Sequence, residues 1–433
     1  MVATAWPRYL AKNIINHMKN AYLKIIYRIL AFYARRVILQ NDPKIIAVTG
    51  SVGKTSTKDA IYEVLHDAFG SKVRKTEGTL NAEIGLPLTI LGYKEVPNKF
   101  IWPFFLVGLA FRKYDKNYPE YLVLEMGVER AGDLVYFANI ARPDIAVITT
   151  VTAAHVANFR NVEEYQKEKL SILTKMKPGG KVIINIDDPI LAGIENREII
   201  TISAENKAAD YYSDDITISL SGTEYRINFT GHKISVKSAL LGRQAIYSQL
   251  FGFAIGNILG IQSIKTGKSL SKIKPIAGRM NFVDGKNGVI IIDDTYNSNP
   301  TSLKAALTTL SEIKFDGRKV AIIGNMNELG GMEQLSHEEV GRFAKDKCDL
   351  AIFAGPNAAG MSKAFGPGSL AFAGRAMLIE RLPSLIKEGD LVLVKASQNG
   401  NFFEEVAKFL MKKPSDAQKL LVRQGKFWKN RKS

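Results

Sequence analysis

The stretch Val48–Thr57, VTGSVGKTST, places two glycines, a lysine and several hydroxyl side chains within ten residues. It begins at the end of the apolar run IIAVTG, which predicts a buried strand, and it leads into residues 57–69, which are typical of a helix. A glycine loop between a strand and a helix binds phosphate, because backbone N–H groups and the helix N-terminus point at the anion. The stretch therefore predicts a phosphate-binding loop in an α/β fold.

The loop is a variant of the common form, because Val48 stands six residues before the lysine, where a glycine is usual, and the first glycine is Gly50. In such loops the lysine reaches the terminal phosphates of a nucleotide and the next hydroxyl holds Mg²⁺. We therefore expect ATP and Mg²⁺ as cofactors. The residues expected to hold the nucleotide phosphates are Thr49, Gly50, Ser51, Gly53, Lys54, Thr55 and Ser56.

Composition sets the class of protein. With 433 residues, 46% hydrophobic and 23% charged, the chain is typical of a soluble protein of two or three domains. Its single cysteine, Cys348, excludes a disulfide framework and a cysteine zinc site built from this chain alone. These features predict a cytoplasmic location.

The formal net charge of +17 is concentrated at the two ends. Residues 1–40 contain seven Lys/Arg and residues 417–433 contain six, with no Asp or Glu in either segment. The middle of the chain is nearly balanced, and only the tail KFWKNRK interleaves basic residues with aromatic ones. A nucleic-acid-binding ATPase is therefore a minor alternative, and we expect no nucleic-acid partner.

Two segments leave a membrane contact open. Basic residues at positions 8, 12 and 19, and again at 24, 28 and 35, repeat helical spacings, so residues 1–43 predict a basic amphipathic helical leader. The run Ile101–Phe111, IWPFFLVGLAF, is too short to span a bilayer and is expected to be a buried helix or strand. For both segments, packing within the protein is the preferred interpretation, and peripheral contact at the inner face of the membrane is the alternative.

The remaining pattern alternates strands with helices. Apolar runs bounded by turn residues predict strands at 121–127, 144–151 and 181–187, an antiparallel patch at 210–236, a helix at 244–266, and further strands at 289–294, 319–324, 350–355 and 391–397. The predicted fold class is α/β, with a central ATPase domain that contains the phosphate loop and a parallel sheet, and a C-terminal Rossmann-like domain. The predicted domains are residues 1–43, 44–274 and 275–433.

Several motifs follow the loop in a recognisable order. They are TEGTLNAEIGLPLTIL (76–91), LEMGVERAGDL (124–134), RPDIAVITTVTAAHVANF (142–159), AGRMNF (277–282), IDDTYNSNPTSLKAAL (292–307), IGNMNELG (323–330) and LVKAS (393–397). Together with the loop they resemble the Mur ligase family. The EMG and DDTYNSNP elements resemble the branch that adds D-alanyl-D-alanine to a muramoyl tripeptide.

The resemblance implies an ATP-dependent ligase of peptidoglycan precursor synthesis. Such an enzyme converts the carboxylate of a muramoyl-peptide precursor into an acyl phosphate, and the amine of a dipeptide then displaces the phosphate. Since two anions must be brought together, metal ions and cationic side chains carry most of the catalysis. The expected substrates are the muramoyl-peptide precursor and the dipeptide, and a monomer is expected.

The resemblance also assigns roles to side chains that would otherwise be unremarkable. Glu125 would be an exposed strand-end carboxylate, His155 a structural histidine and Lys169 a solvated helix lysine. In the family, the matching residues hold metal, and the lysine is commonly carbamylated by CO₂; Lys167 is the alternative for that position. The implied catalytic residues are Lys54, Glu125, His155, Lys169 and Lys395, and the implied metal-binding residues are Thr55, Glu125, His155 and Lys169.

Other matches concern nucleotide and amino substrate. Asn81 is expected to face the phosphates or the substrate, although an asparagine in a loop more often forms a turn. The residues matched to ATP contacts in the C-terminal domain are Arg279, Asp294, Tyr296 and Asn297. Those matched to the region of the incoming amino substrate are Asn325, Glu328 and His337.

The sequence also departs from the family pattern. Family members have a UDP-binding domain before the loop, whereas this chain has only forty-odd residues there, so we expect either a different mode of precursor binding or a lipid-linked acceptor. Ser248 replaces an asparagine near adenine, Gln398 an arginine, and Asn325 an aspartate. These changes bear on base recognition and on the amino-substrate pocket.

Two related ligase types remain as alternatives. One is a subunit that amidates a lipid-linked precursor with ammonia from a glutaminase partner, but those proteins usually carry a cysteine zinc insert, and one cysteine argues against it. The other is a folate-type ligase, which the EMG and DDTYNSNP motifs disfavour.

Overall fold

The computed structural model describes residues 5–78, 80–98, 101–111, 117–152, 159–194, 198–398, 400–425, 427, 428 and 431, with only the backbone described for residues 5–21. The helices are α1 (Ala5–Asn41), α2 (Lys54–Phe69), α3 (Gly85–Ile90), α4 (Trp102–Phe111), α5 (Asp133–Ile140), α6 (Val162–Leu170), α7 (Pro189–Ala192), α8 (Arg243–Ile258), α9 (Ser263–Ser271), α10 (Pro300–Glu312), α11 (Glu333–Ala344), α12 (Ala358–Phe365), α13 (Arg375–Leu385), α14 (Glu404–Leu410) and α15 (Ala417–Leu420). The strands are β1 (Lys44–Thr49), β2 (Val73–Lys75), β3 (Tyr121–Glu125), β4 (Ile145–Ile148), β5 (Lys181–Asn185), β6 (Ile199–Ser203), β7 (Tyr211–Ser219), β8 (Gly222–Phe229), β9 (His232–Ser238), β10 (Asn281–Asp284), β11 (Ile290–Asp294), β12 (Lys319–Gly324), β13 (Leu350–Ala354), β14 (Ser369–Phe372) and β15 (Leu391–Lys395).

The described residues form two compact units. The first comprises those within 1–50, 65–148 and 167–183, and the second those within 51–64, 149–166 and 184–433. The domain boundaries expected from the sequence, at 43/44 and 274/275, stay predictions.

In the first unit, the strands lie in the order β2-β3-β1-β4-β5. β1 pairs in parallel with β3 and β4, which places Glu125 beside Val48 and Ile148 beside Thr49. Residues 45–49 of β1 are all buried, since a parallel strand is covered on both faces. The carboxyl ends of β3, β1 and β4, where α/β sheets hold ligands, therefore lie side by side, and β1 leads directly into the phosphate loop.

In the second unit, β7, β8 and β9 form an antiparallel meander, as the alternating pattern predicts. A six-stranded sheet has the order β10-β11-β15-β12-β13-β14, parallel except for β10. Consecutive residues of β11 are buried on opposite faces of the sheet, because side chains alternate along a strand. Ile291 lies in one hydrophobic cluster and Ile292 in another. Both faces of the sheet are therefore covered, and the predicted α/β class with a second, Rossmann-like sheet is confirmed.

Local sequence sets where α10 begins. Asn299 accepts a hydrogen bond from the Ser302 amide (2.8 Å), and the Ser302 hydroxyl accepts one from the Asn299 amide (3.0 Å). Pro300 occupies the first helical turn, where it loses no hydrogen bond. Asn299, near the end of the DDTYNSNP motif, thus forms a capping box with Ser302, and this ends the loop after β11.

Three expectations are corrected by the structure. Residues 244–266 are two helices rather than one, since Gly260 adopts a φ of +76° between α8 and α9. The run Ile101–Phe111 is helical but not buried, since only Trp102 and Leu109 are inaccessible. The helix after the loop starts at Lys54, three residues before the predicted start.

Over residues 5–41 the predicted leader is helical, and α1 packs through Ile26, Leu30, Ala34, Val37 and Ile38. Among the described residues, no helix is both long enough and apolar enough to cross a bilayer.

Candidate active site

The phosphate loop runs from the end of β1 to the start of α2. Gly50 and Gly53 have φ values of +136° and +86°, a region that favours glycine and that the turn requires. The first intrahelical hydrogen bond joins the Thr57 amide to the Gly53 carbonyl (2.9 Å). The 16-residue helix α2 therefore directs its amino-terminal N–H groups and positive dipole end into the loop, as anion binding requires.

Hydrogen bonds within the second unit hold the loop in this shape. The Ser51 and Val52 amides donate to the Thr150 carbonyl (2.8 Å) and hydroxyl (3.1 Å), and the Thr149 hydroxyl donates to the Val52 carbonyl (2.6 Å). These contacts within the protein fix the shape of the turn.

Ser51 has a structural role that the sequence did not indicate. Its hydroxyl donates to the Thr152 carbonyl (2.9 Å), accepts from the Thr152 amide (3.1 Å) and contacts the buried Tyr165 hydroxyl at 2.9 Å. Burial raises the pKa of Tyr165 to about 12, so this phenol stays protonated. We therefore assign the Ser51 hydroxyl to loop support, whereas the sequence predicts a phosphate contact.

Lys54 lies at the first position of α2. Its Nζ donates to the Ser51 carbonyl at 3.2 Å, so the side chain folds back across the loop. Thr55 and Ser56 follow in the first helical turn, which is where the predicted Mg²⁺-binding hydroxyl belongs.

Glu125 ends β3 and is buried, with 2% of its surface exposed. Its Oε1 accepts a hydrogen bond from Asn81 Nδ2 (3.0 Å), and its amide donates to the Thr76 hydroxyl (3.0 Å). The structure thus brings together two residues predicted for the site, and Asn81 orients the carboxylate. Glu125 is therefore not the exposed strand-end carboxylate that the pattern alone would give, and its metal-binding role, implied by the resemblance, stays a prediction.

Lys169 is also buried, with 1% of its surface exposed, and its Nζ donates to the Gly50 carbonyl at 3.0 Å. Lys167, the alternative for this position, is exposed. The solvated helix lysine that periodicity alone predicts at position 169 is therefore wrong, because Lys169 is buried and contacts the loop.

Glu168, which the sequence did not single out, fixes the position of α6. Its two carboxylate oxygens accept hydrogen bonds from the Gly132 and Leu134 amides, both at 2.9 Å, at the start of α5. Gly132, the N-cap residue, has no side chain that could cap the helix. The Glu168 carboxylate therefore caps α5 in its place. The available signal in the sequence was that Glu168 is the neighbour of Lys169, the lysine matched to the metal site.

His155 lies outside the described residues. The predicted metal-binding set contains only two residues of the His, Cys, Asp and Glu types, Glu125 and His155. Within the described part of the chain, no three side chains of those types form a group that could hold a metal ion. The predicted Mg²⁺ site therefore stays a prediction; Glu125 and the hydroxyl of Thr55 are the hard oxygen donors that Mg²⁺ prefers.

In the second sheet, Lys395 and Asp294 are register partners on neighbouring strands. The Lys395 Nζ lies 2.6 Å from Asp294 Oδ2 and 2.9 Å from the Asn297 carbonyl. Lys395 is buried, so the ion pair offsets the cost of burying its charge. Three residues predicted for this site thus meet at the carboxyl ends of β11 and β15.

Arg279 connects this region to the phosphate loop within the second unit. Its guanidinium stacks 4.3 Å from the centre of the Tyr296 ring, and its Nη2 lies 3.5 Å from the Thr55 hydroxyl. A stacked guanidinium is rigid and always charged, which suits it to bind phosphate. The structure thus supports the predicted grouping of Arg279 with Tyr296 and the loop.

A buried acid, Asp293, fixes the segment that carries Arg279. It accepts hydrogen bonds from the Gly278 amide (2.9 Å) and from the Thr295 hydroxyl (2.6 Å) and amide (3.2 Å). Burial raises the pKa of Asp293 to about 6, and the neighbouring Asp294 carboxylate acts in the same direction.

The residues predicted near the amino substrate divide into two groups. His337 is buried, its Nδ1 donates to the Glu333 carbonyl (2.7 Å) and its Nε2 accepts from the Met326 amide (2.9 Å). Burial lowers its pKa, so a neutral ring fixes the loop, and the predicted substrate contact is corrected to a structural one. Asn325 accepts a hydrogen bond from Asn357 (2.7 Å), and Glu328 is exposed with a φ of +64°.

Of the departures from the family pattern, Ser248 has a structural role through its side chain, and the contacts of Gln398 are made by its backbone. The Ser248 hydroxyl is buried and donates to the Ala245 carbonyl of its own helix (2.8 Å). The Gln398 carbonyl accepts a hydrogen bond from Asn327 (2.6 Å), and its amide donates to Asn297 (3.3 Å).

Arg423 was counted from the sequence only as part of the basic tail. It is buried and pairs with the buried Glu404 through two hydrogen bonds of 3.1 and 2.9 Å, and it donates to the carbonyls of Tyr296 (3.0 Å) and Thr295. The tail thus supports the loop after β11. The sequence did not predict this pair, because the tail itself contains no acidic residue and Glu404 lies outside it.

The fold and the site define a class of α/β proteins that bind a nucleotide through a phosphate loop. Residues 48–256 match the Mur ligase middle domain, and residues 278–398 match the Mur ligase glutamate ligase domain. The chain is 30% identical over 387 residues to the UDP-N-acetylmuramoyl-tripeptide–D-alanyl-D-alanine ligase of Bacillus subtilis (strain 168), covering 88% of this chain and 79% of that protein.

The corresponding ligase of Escherichia coli (strain K12) is 29% identical over 380 residues, with 86% of this chain and 77% of that protein covered. A crystal structure of MurF ligase from Thermotoga maritima in complex with ADP matches with a TM-score of 0.76 and 28% identity, and covers 90% of this chain and 84% of that one. The chain belongs to the Mur ligase family.

Proposed function

We propose that this protein is an ATP-dependent ligase that joins D-alanyl-D-alanine to the carboxylate of a UDP-linked muramoyl tripeptide in peptidoglycan precursor synthesis. The observation that carries the proposal is the grouping of Lys54, Thr55 and Arg279 at the amino end of α2. This grouping supports the binding of a nucleotide tail. The names of the relatives support the choice of substrates.

In the proposed reaction, an oxygen of the tripeptide carboxylate attacks the γ-phosphorus of ATP and ADP leaves, which gives an acyl phosphate. The dipeptide amine then attacks the acyl carbon, loses a proton, and inorganic phosphate leaves. Lys54 and Arg279 neutralise negative charge on the transferring phosphoryl group. Lys395, held by Asp294, supplies a further cation for phosphate or acyl phosphate.

Mg²⁺ would be held by Thr55 and Glu125, with His155 and a carbamylated Lys169 as further ligands. When bound, it neutralises phosphate oxygens. Asn81 holds the Glu125 carboxylate in orientation, and the hydrogen bond from Lys169 to Gly50 fixes the side chain against the loop. We further propose a cytoplasmic monomer.

The experiment measures phosphate release from ATP with D-alanyl-D-alanine and a UDP-linked tripeptide. Release should require both substrates and Mg²⁺. Lys54→Ala should abolish it, His155→Ala should reduce kcat more than nucleotide affinity, and Lys72→Ala, an exposed lysine paired with Glu120, should leave it unchanged. Release with ammonia in place of the dipeptide, or only with a lipid-linked tripeptide, would contradict the proposal.

A further inference from the structure

One surface of the first unit combines apolar and basic side chains. On α1, the exposed apolar residues recur at helical spacing, and three arginines lie on the same side. The apolar residues are Tyr22, Ile25, Phe32 and Leu39, and the arginines are Arg28, Arg35 and Arg36. Within residues 22–41, the opposite side of α1 is buried, and α1 packs against α3, α4 and α5.

The neighbouring helix α4 exposes only apolar side chains. The sequence WPFFLVGLAF contains no charged residue, and Phe104 and Phe111 are 80% and 82% exposed. Val107 is exposed on the same helix, and Ile101 precedes it. The helix is nevertheless anchored, because Trp102 and Leu109 are buried and Phe105 packs on Trp102 and Tyr93. Such large exposed aromatic residues on an ordered helix indicate an interaction site.

The charge of this surface identifies its partner. Residues 1–40 contain no Asp or Glu, so the exposed arginines of α1 have no acid on their own helix. A second copy of the chain would place arginines against arginines in a symmetric contact, which is repulsive. An anionic bilayer offers phosphate groups to the arginines and acyl chains to the phenylalanines.

We propose that the outer faces of α1 and α4 form a docking surface for an anionic lipid bilayer. We define this lipid-docking surface by Tyr22, Ile25, Phe32 and Leu39, the three arginines of α1, and Ile101, Phe104, Val107 and Phe111 of α4. The α4 side chains enter the boundary between headgroups and acyl chains, and the arginines bind lipid phosphates. The protein lies on the membrane in this arrangement, and the ligase reaction is not needed for binding.

The test is co-sedimentation of the full chain with vesicles of phosphatidylcholine, alone or mixed with phosphatidylglycerol. The unaltered protein should bind the mixed vesicles and should be released by raised salt. The triple variant Arg28→Gln, Arg35→Gln, Arg36→Gln should bind about 100-fold more weakly. The matched control removes three exposed lysines of the second unit, with Lys345→Gln, Lys363→Gln and Lys387→Gln, and should bind almost as tightly as the unaltered protein.

A second variant tests the apolar half. Phe104→Ser with Phe111→Ser should weaken binding to mixed vesicles at least about tenfold, since both rings leave water on docking. The matched control, Ile264→Ser with Met377→Ser, replaces exposed apolar residues of the second unit and should have no effect. All four substituted residues are exposed, so thermal unfolding should be unchanged.

Three results would overturn the proposal. They are absence of binding to either vesicle, equal binding by the arginine variant and its lysine control, and a dimer in sedimentation velocity that the phenylalanine variant dissociates. Phosphate release without vesicles should be the same for all these variants. Failure of membrane binding and failure of the proposed reaction are therefore separate results.

Discussion

At the scale of the residue, burial decides what a charged side chain can do. Lys169 and Glu125 are the two site residues whose surroundings differ most from the pattern-based expectation, since both are almost completely buried. A buried charge is costly unless it is paired or binds a ligand. Their contacts with Gly50 and Asn81 orient them, and we expect both to serve the reaction.

The first prediction concerns Lys169. A carbamylated lysine keeps an N–H on Nζ, so it can still donate to the Gly50 carbonyl while it presents a carboxylate. Lys169→Ala should therefore lose phosphate release at least about 100-fold, and acetate or formate should restore part of it. Lys167→Ala, on the exposed side of α6, should stay fully active. Restoration by methylammonium but not by acetate would show that the cation is needed and that the carbamate is wrong.

The second prediction concerns Asp293, whose pKa burial raises to about 6 in the folded protein, against about 3.9 in the unfolded chain. The folded state binds the proton more tightly, so the free energy of unfolding falls as pH rises from about 4 to about 6, by about 3 kcal/mol from this group. Asp293→Asn removes the charge, so the stability difference between the unaltered protein and the variant should change by that amount in this pH range.

Urea unfolding at stepped pH measures this difference. Asp293→Asn should also be less stable at pH 4, because an amide cannot accept the hydrogen bonds from Gly278 and Thr295 together. Asp284→Asn, at an exposed position of β10, is the control and should give a curve parallel to that of the unaltered protein. A parallel curve for Asp293→Asn itself would show that its pKa is not raised.

At the scale of the element, uniform apolar runs predicted the buried strands well, but they did not predict strands at the surface. β1, β3, β12 and β15 lie where the sequence predicts them, since continuous apolar runs are typical of strands covered on both faces. β14 was not predicted, because residues 369–372 are short and only partly buried, and their pairing partner β13 sets their structure. Exposure of α4 could not be predicted either, because an apolar run does not reveal whether anything covers it.

The third prediction concerns the contact between α6 and α5. Glu168→Ala removes the acceptor for the Gly132 and Leu134 amides and should lower the free energy of unfolding by about 1 to 2 kcal/mol, as for loss of a helix cap. It should also reduce kcat, since Lys169 is the next residue. Glu163→Ala, in the first turn of the same helix and exposed, should change stability by less than about 0.5 kcal/mol. Equal effects of the two substitutions on stability would show that Glu168 does not cap α5.

At the scale of the whole molecule, the sequence predicted the class of fold and the ligase family. The strand-loop-helix order around Val48–Thr57 and the second series of strands were sufficient for an α/β protein with a second sheet. The supporting contacts could not be predicted, because Tyr165 on Ser51 and Arg423 on Glu404 join residues far apart in the chain. The net charge was equally uninformative about Arg423, since a count does not separate a paired buried cation from a solvated one.

The last prediction tests nucleotide binding through the stability of the whole chain. A ligand that binds only the folded state stabilises it by about 2.7 kcal/mol at a concentration 100 times its Kd. A non-hydrolysable ATP analogue with Mg²⁺ should therefore raise the melting temperature, and excess EDTA should remove most of the shift, since the phosphate charges are then neutralised only by side chains such as Lys54 and Arg279. Lys54→Ala should show little shift, whereas Lys72→Ala should respond like the unaltered protein because its side chain pairs with Glu120 at the surface. A full shift in Lys54→Ala would mean that the nucleotide does not bind through the loop that follows β1.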